Sequence, residues 1–128
     1  MKDIEDINDI RLFVDEFYKK VQRDMYLGPV FHSAISDWQP HLEKMYLFWN
    51  AALFGIAGFK GNPFARHATL NIGLLHFQKW LELFNETIDA HFEGPVAENT
   101  KERAVLMAKT FVARLENPPP GGHQRTIV

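Results

Sequence analysis

Apolar residues recur at Ile10, Phe13, Val14, Phe17 and Val21, the three-and-four spacing that places them on one face of a helix. Asn8 or Asp9 is available to cap its start. Leu27-Gly28-Pro29-Val30-Phe31 interrupts the pattern. Glycine ends a helix at little steric cost and proline suits a first helical position, so a break and then a short helical turn to about Ile35 are predicted. Ser36-Asp37-Trp38-Gln39 matches a capping box, and Pro40 falls in the first turn, where its missing N–H costs nothing. The long helix that follows buries Trp38, His41, Leu42, Met45, Phe48, Trp49, Ala52 and Ile56 on one stripe. An imidazole, His41, therefore sits on an apolar face.

Gly55, Gly58, Gly61, Asn62 and Pro63 make a breaker-rich stretch, after which Phe64 to about Leu70 can be helical before Asn71-Ile72-Gly73 interrupts again. His67 is thus carried on a short element between loops. From Leu74 a helix with Phe77, Trp80, Leu81, Phe84, Ile88 and Phe92 on one face runs to Gly94-Pro95. A last helix carries Ala104, Met107, Ala108, Phe111, Val112 and Leu115 and stops before Asn117-Pro118-Pro119-Pro120-Gly121-Gly122. No stretch alternates with period two between turn signals and no repeat is visible. The chain reads as all-α, with a single domain over residues 1–116 and a tail over 117–128 whose composition predicts disorder.

With 128 residues the chain suits one domain, without room for a separate cofactor domain. Eleven of its residues are Phe, more than an ordinary core of this size needs, which points to something large and apolar enclosed among the helices. The formal net charge is −2 and the basic residues are interspersed with acidic ones, so no footprint for nucleic acid or anionic lipid is present. With no Cys, thiol chemistry, disulfides and iron–sulfur clusters are excluded, and His, Asp and Glu remain as metal ligands. The acidic start, Met1 to Asp6, lacks the basic and apolar regions of a signal peptide, and a cytoplasmic location is expected. The most apolar run, Tyr46 to Phe59, falls short of the about 20 residues a membrane span requires.

An imidazole on a short element facing aromatic-rich helices is what a protein needs to hold a flat iron macrocycle from one side. Taken alone, one His is more often an ordinary surface or core residue than a ligand; the aromatics around His67 shift that balance. Arg66 offers a cation for a haem propionate, and Phe64 lies three residues before His67 on the same helical face. Across the slot, Tyr18 could donate from its phenol and Trp80 from its indole N–H. Met45, Phe48 and Trp49 would form walls, with His41 at the entrance. Each of these has a plain packing alternative. Other metal chemistry fits poorly: no His is preceded by Glu at the offset of a di-iron bundle, and no His-Glu-x-x-His occurs. There is no Gly-x-Ser-x-Gly and no phosphate-cradling glycine loop either.

Phe17-Tyr18 with Lys19-Lys20-Val21, Leu27-Gly28-Pro29-Val30-Phe31, His41, Phe48-Trp49, Gly61-Asn62-Pro63-Phe64-Ala65-Arg66-His67 and Trp80-Leu81-Glu82-Leu83-Phe84 together resemble the truncated haemoglobins of the third group. The only Gly-Gly lies in the tail, which suits that group over the others. The resemblance implies a two-over-two helical sandwich around haem b, with five-coordinate iron on His67. Phe31 would pack on the porphyrin face, and Phe64, Arg66 and Ile72 would contact the haem beside His67. Tyr18 and Trp80 match the family's distal donors and His41 a distal gate; Met45, Phe48 and Trp49 complete the wall.

A donor aimed at a partly negative ligand makes a hydrogen bond worth about 1.5–3 kcal/mol, enough to slow ligand loss about 10- to 100-fold. The function expected is tight binding of dioxygen or other small diatomic ligands rather than bulk transport. A reductase is a further partner this reading admits; nucleic acid and membrane are not. Peroxidase-like or nitric oxide dioxygenase activity is the nearest alternative, and a haem-free helical interaction module the more distant one.

Overall fold

The computed structural model describes residues 1–59 and 73–116, the last three as backbone only. Among these residues the chain forms five helices and no strand: α1 (Ile7–Arg23), α2 (Leu27–Ala34), α3 (Trp38–Phe54), α4 (Leu74–His91) and α5 (Pro95–Glu116). The short helix expected over 64–70 and the tail over 117–128 lie outside the described residues.

Local chemistry explains where each helix begins and stops. Asp6, not Asn8 or Asp9, caps α1: its Oδ1 accepts the N–H groups of Asn8 at 2.9 Å and Asp9 at 3.3 Å. The two expected residues already lie inside the first turn. Asp9 instead turns inward, accepts the Glu5 N–H at 2.8 Å and pairs with Lys2. Asp24 closes α1 and also accepts from the N–H groups of Tyr26 and Leu27, so one carboxylate serves two helix ends. Gly28 is needed at the next step, because a Cβ there would meet the Gln22 carbonyl oxygen at 2.9 Å.

The capping box predicted on Ser36 is shifted by one residue. Asp37 is the cap of α3, accepting from the Gln39 N–H. At the other end Gly55 adopts φ +67°, a left-handed conformation that stops the helix after Phe54. Ile56 is consequently outside the helix and 51% exposed, not the last residue of the buried stripe.

The helices stack as two pairs. Helix α1 packs on α3, α4 packs along α5, and α1 also lies on α4, joining one pair to the other. The short α2 bridges α1 and α4. The join is aromatic: Phe13 of α1 meets Trp49 of α3 at 5.8 Å and Phe84 of α4 at 5.9 Å, each edge to face. One helix pair thus lies across the other, the two-over-two arrangement expected from the sequence.

A clasp that no periodicity announced ties the N-terminal segment to the far end of the chain. Asp3 accepts the N–H groups of Val96 at 2.9 Å and Ala97 at 2.8 Å, capping α5 from more than ninety residues away. The Lys2 carbonyl accepts from Glu93 N–H, and Ile4 is buried. Gly94 has φ +136°, and a Cβ on it would meet the Asp3 carboxylate at 2.6 Å, so both backbone conformation and space demand glycine. Burial acts to raise the Asp3 carboxyl, but the N–H groups of Val96, Ile4 and Ala97 outweigh it and hold it below its ordinary value. A lowered carboxyl contributes stability above pH 3.8 that is lost as pH falls through the folded-state value. Asp3→Ala is therefore expected to lower stability at neutral pH by about 1–2 kcal/mol, as for other lost caps. In urea titrations the gap from the parent should close as pH drops below 3.8; a gap independent of pH would reject the carboxylate as its source.

Candidate functional site

The two helix pairs do not close completely. Between α1, α3, α4 and α5 lies a small cavity of about 20 Å³, room for about one water molecule, lined from α1 by Val14, Phe17 and Tyr18. Helix α3 contributes Met45, Phe48 and Trp49, helix α4 Trp80 and Phe84, and helix α5 Met107 and Phe111. Each lining residue lies on the inward stripe of its helix, so the same periodicity that makes a core here makes a wall.

Five residues singled out from sequence converge on this cavity: Tyr18, Met45, Phe48, Trp49 and Trp80. Tyr18 is buried among aromatic rings, with Phe17 at 4.9 Å, His41 at 5.1 Å, Trp38 at 5.8 Å and Phe31 at 6.3 Å. Burial raises its phenol far above the ordinary tyrosine range, so it remains a neutral O–H donor at any physiological pH. Trp80 is fixed by two rings: Phe17 stands edge-on at 5.5 Å and Phe84 stacks on it at 5.5 Å with an interplanar angle of 9°. Trp49 stacks on the same Phe84 ring at 5.4 Å. Tyr18, Trp49 and Trp80 are the hydrogen-bond donors of an otherwise apolar described wall.

Phe31 and His41 do not line this cavity. Both are buried against Tyr18, and His41 also meets Trp38 at 5.8 Å, so they bear on the pocket through the phenol ring. His67, Phe64, Arg66 and Ile72 lie outside the described residues. The other described histidines are engaged elsewhere. His32 Nε2 is 3.3 Å from the Gln22 carbonyl, His76 Nδ1 accepts from the Gly73 N–H at 3.0 Å while its ring stacks on Tyr26, and His91 lies beside Phe92.

Sequence reading did not single out Val14, Phe17, Phe84, Met107 and Phe111 as wall residues. All five are on predicted apolar faces, and nothing in a helical spacing separates a side chain that packs on protein from one that packs on a ligand. Phe84 is the most consequential omission, because Trp49, Trp80, Phe13 and Phe17 all rest on its ring.

The model of one protein family, described as bacterial-like globin, matches residues 4–116. The group 3 truncated haemoglobin ctb of Campylobacter jejuni is 32% identical over 119 residues, an alignment covering 89% of this chain and 92% of that protein. The crystal structure of group III truncated haemoglobin from Campylobacter jejuni superposes with a TM-score of 0.83 at 29% identity, over 93% of this chain and 98% of that one.

Proposed function

Because the chain belongs to the bacterial-like globin family, we propose that it holds haem b between its two helix pairs and binds dioxygen or a related diatomic ligand at five-coordinate iron. Tyr18 and Trp80 are the groups that retain the ligand. The observation that carries this reading is the cavity itself: an apolar, aromatic wall interrupted by a few neutral donors that make no hydrogen bond to the described residues.

The chemistry of the lining residues fits the group, and the gap of about 20 Å³ between them has to widen for a macrocycle to enter. A planar, largely apolar macrocycle needs flat hydrophobic contact, which Phe48, Phe84, Phe111, Met45 and Met107 offer from three helices. The haem, when bound, supplies the coordination position at which a diatomic ligand attaches. Everything else is done by the protein. Phe17 and Phe84 hold Trp80 in place, so little rotamer freedom is lost when its N–H engages the ligand. The rings around Tyr18 restrain its phenol similarly.

His41 touches the Tyr18 ring rather than the cavity, and its part in this reading is to govern passage beside Tyr18. Neutral donors strengthen the hold on a ligand that accumulates negative charge, so slow release is the property the arrangement supports. Binding for retention or chemistry suits it better than rapid exchange.

A visible absorption spectrum tests the reading at its base. The purified chain supplemented with haem should show a Soret band at one haem per chain. A spectrum indistinguishable from free haemin would exclude the haem pocket and leave the apolar cavity without its proposed occupant.

A further inference from the structure

Tyr46 lies outside the cavity yet is the most unusual polar group near it. It is half-buried on α3, its O–H donates to the Asp15 carboxylate of α1, and Arg11 stands over its ring at 5.8 Å. It lies one helical turn before Trp49, on neighbouring ground of the same helix. Trp49 and Trp80 both stack on Phe84, at 5.4 and 5.5 Å, so close ring contacts run from the wall of the cavity to the turn that carries Tyr46.

We propose that Tyr46 is a redox-active tyrosine, the outward end of a relay of oxidisable rings running from Trp80 through Trp49, with Asp15 as the acceptor of its phenol proton. This rests on the haem reading of the cavity, and the oxidant is a hydroperoxide reduced there. Indole and phenol side chains lose single electrons far more readily than phenyl rings, so Trp80, Trp49 and Tyr46 are the stations and Phe84 the bridge. Burial and the Asp15 hydrogen bond push the Tyr46 phenol up to about 12, so it is protonated at neutral pH and its oxidation has to release a proton. Asp15 already holds the receiving position.

The chemistry balances. Cleaving the O–O bond of hydrogen peroxide to two waters consumes two electrons and two protons. Each passage through the relay supplies one electron, lost from Tyr46 as its O–H bond breaks and the proton moves to Asp15 and on to solvent. A small one-electron reductant such as ascorbate restores the phenol, and two passages complete one peroxide. Arg11 opposes the step, because a cation over the ring makes electron loss harder. That opposition provides a control of opposite sign.

The test uses the haem-loaded protein, treated with hydrogen peroxide and a nitroso spin trap, and reads the organic radical by electron paramagnetic resonance and the trapped residue by peptide mapping. In the parent the adduct is expected at Tyr46. Tyr46→Phe should lose it and shift trapping to Trp49 or Trp80, Asp15→Asn should reduce it with Tyr46 intact, and Arg11→Gln should increase it, all at unchanged haem content. Radical yield and position unaltered in Tyr46→Phe or Asp15→Asn would overturn the relay alone. Absence of a Soret band would overturn the pocket reading and the relay with it.

Discussion

His67→Ala is expected to purify without haem and to regain a Soret band when imidazole is supplied in solution. The structure contributes to this expectation by elimination among the described residues. No histidine lies on the described cavity wall, and His32, His76 and His91 are each occupied away from it. His41 faces Tyr18 and Trp38. Of the two remaining histidines, His67 and His123, the family resemblance puts His67 in the proximal role, and we propose it as the ligand that free imidazole would replace in the variant. His41→Ala is the matching control and should keep its haem. An unchanged Soret band in His67→Ala would reject the assignment, and loss of haem in His41→Ala alone would transfer the role to His41.

Dioxygen is expected to leave Tyr18→Phe and Trp80→Phe about 10- to 100-fold faster than the parent, the loss per donor that corresponds to about 1.5–3 kcal/mol. Tyr18→Phe removes one oxygen from a ring held by four aromatic neighbours, so the pocket shape is preserved and the change reads the hydrogen bond. Trp80→Phe removes the indole N–H but also part of the ring stacked on Phe84, and some loss of stability accompanies it. Carbon monoxide separates the two effects. It draws little negative charge when bound, so its release should change far less than that of dioxygen if the donors act electrostatically. Stopped-flow measurement of both ligands decides this: equal acceleration of the two would mean that the substitutions merely loosen the pocket, and no acceleration would remove the donors from the mechanism. Because both groups would address one ligand, the double variant is expected to lose less than the product of the single effects.

Helix identity was readable from the chain because it is a local property. The inward positions of α1, from Ile10 to Val21, and of α4, from Phe77 to Ile88, follow from which residues lie three or four apart. The ends were less readable. Asp6 displaces Asn8 and Asp9 as the cap of α1, and Asp37 displaces Ser36 at α3. Several acceptors near a helix start can compete, and the winner is the one whose backbone leaves it extended outside the first turn. Ile56 was expected to continue the α3 stripe, but the left-handed turn at Gly55 comes first.

The pocket divides in the same way. Tyr18, Met45, Phe48, Trp49 and Trp80 stood out by residue type, and they do line one cavity. Phe31 and His41 also stood out, yet they support Tyr18 from beside it. Phe84, Met107 and Phe111 looked like any other core residues, and the crossing of α4 and α5 over α1 and α3 brings them to the wall.

The five described helices, their inward faces and the residue types that mark the cavity wall were encoded along the chain, because they depend on spacings of a few residues. Convergence on one cavity, the Asp3 clasp on α5 and the Tyr46–Asp15 pair were settled only by tertiary packing. They join residues on different helices, and the angles at which those helices cross are set by how ridges of side chains fit together over the whole core, a condition that no local window of sequence contains.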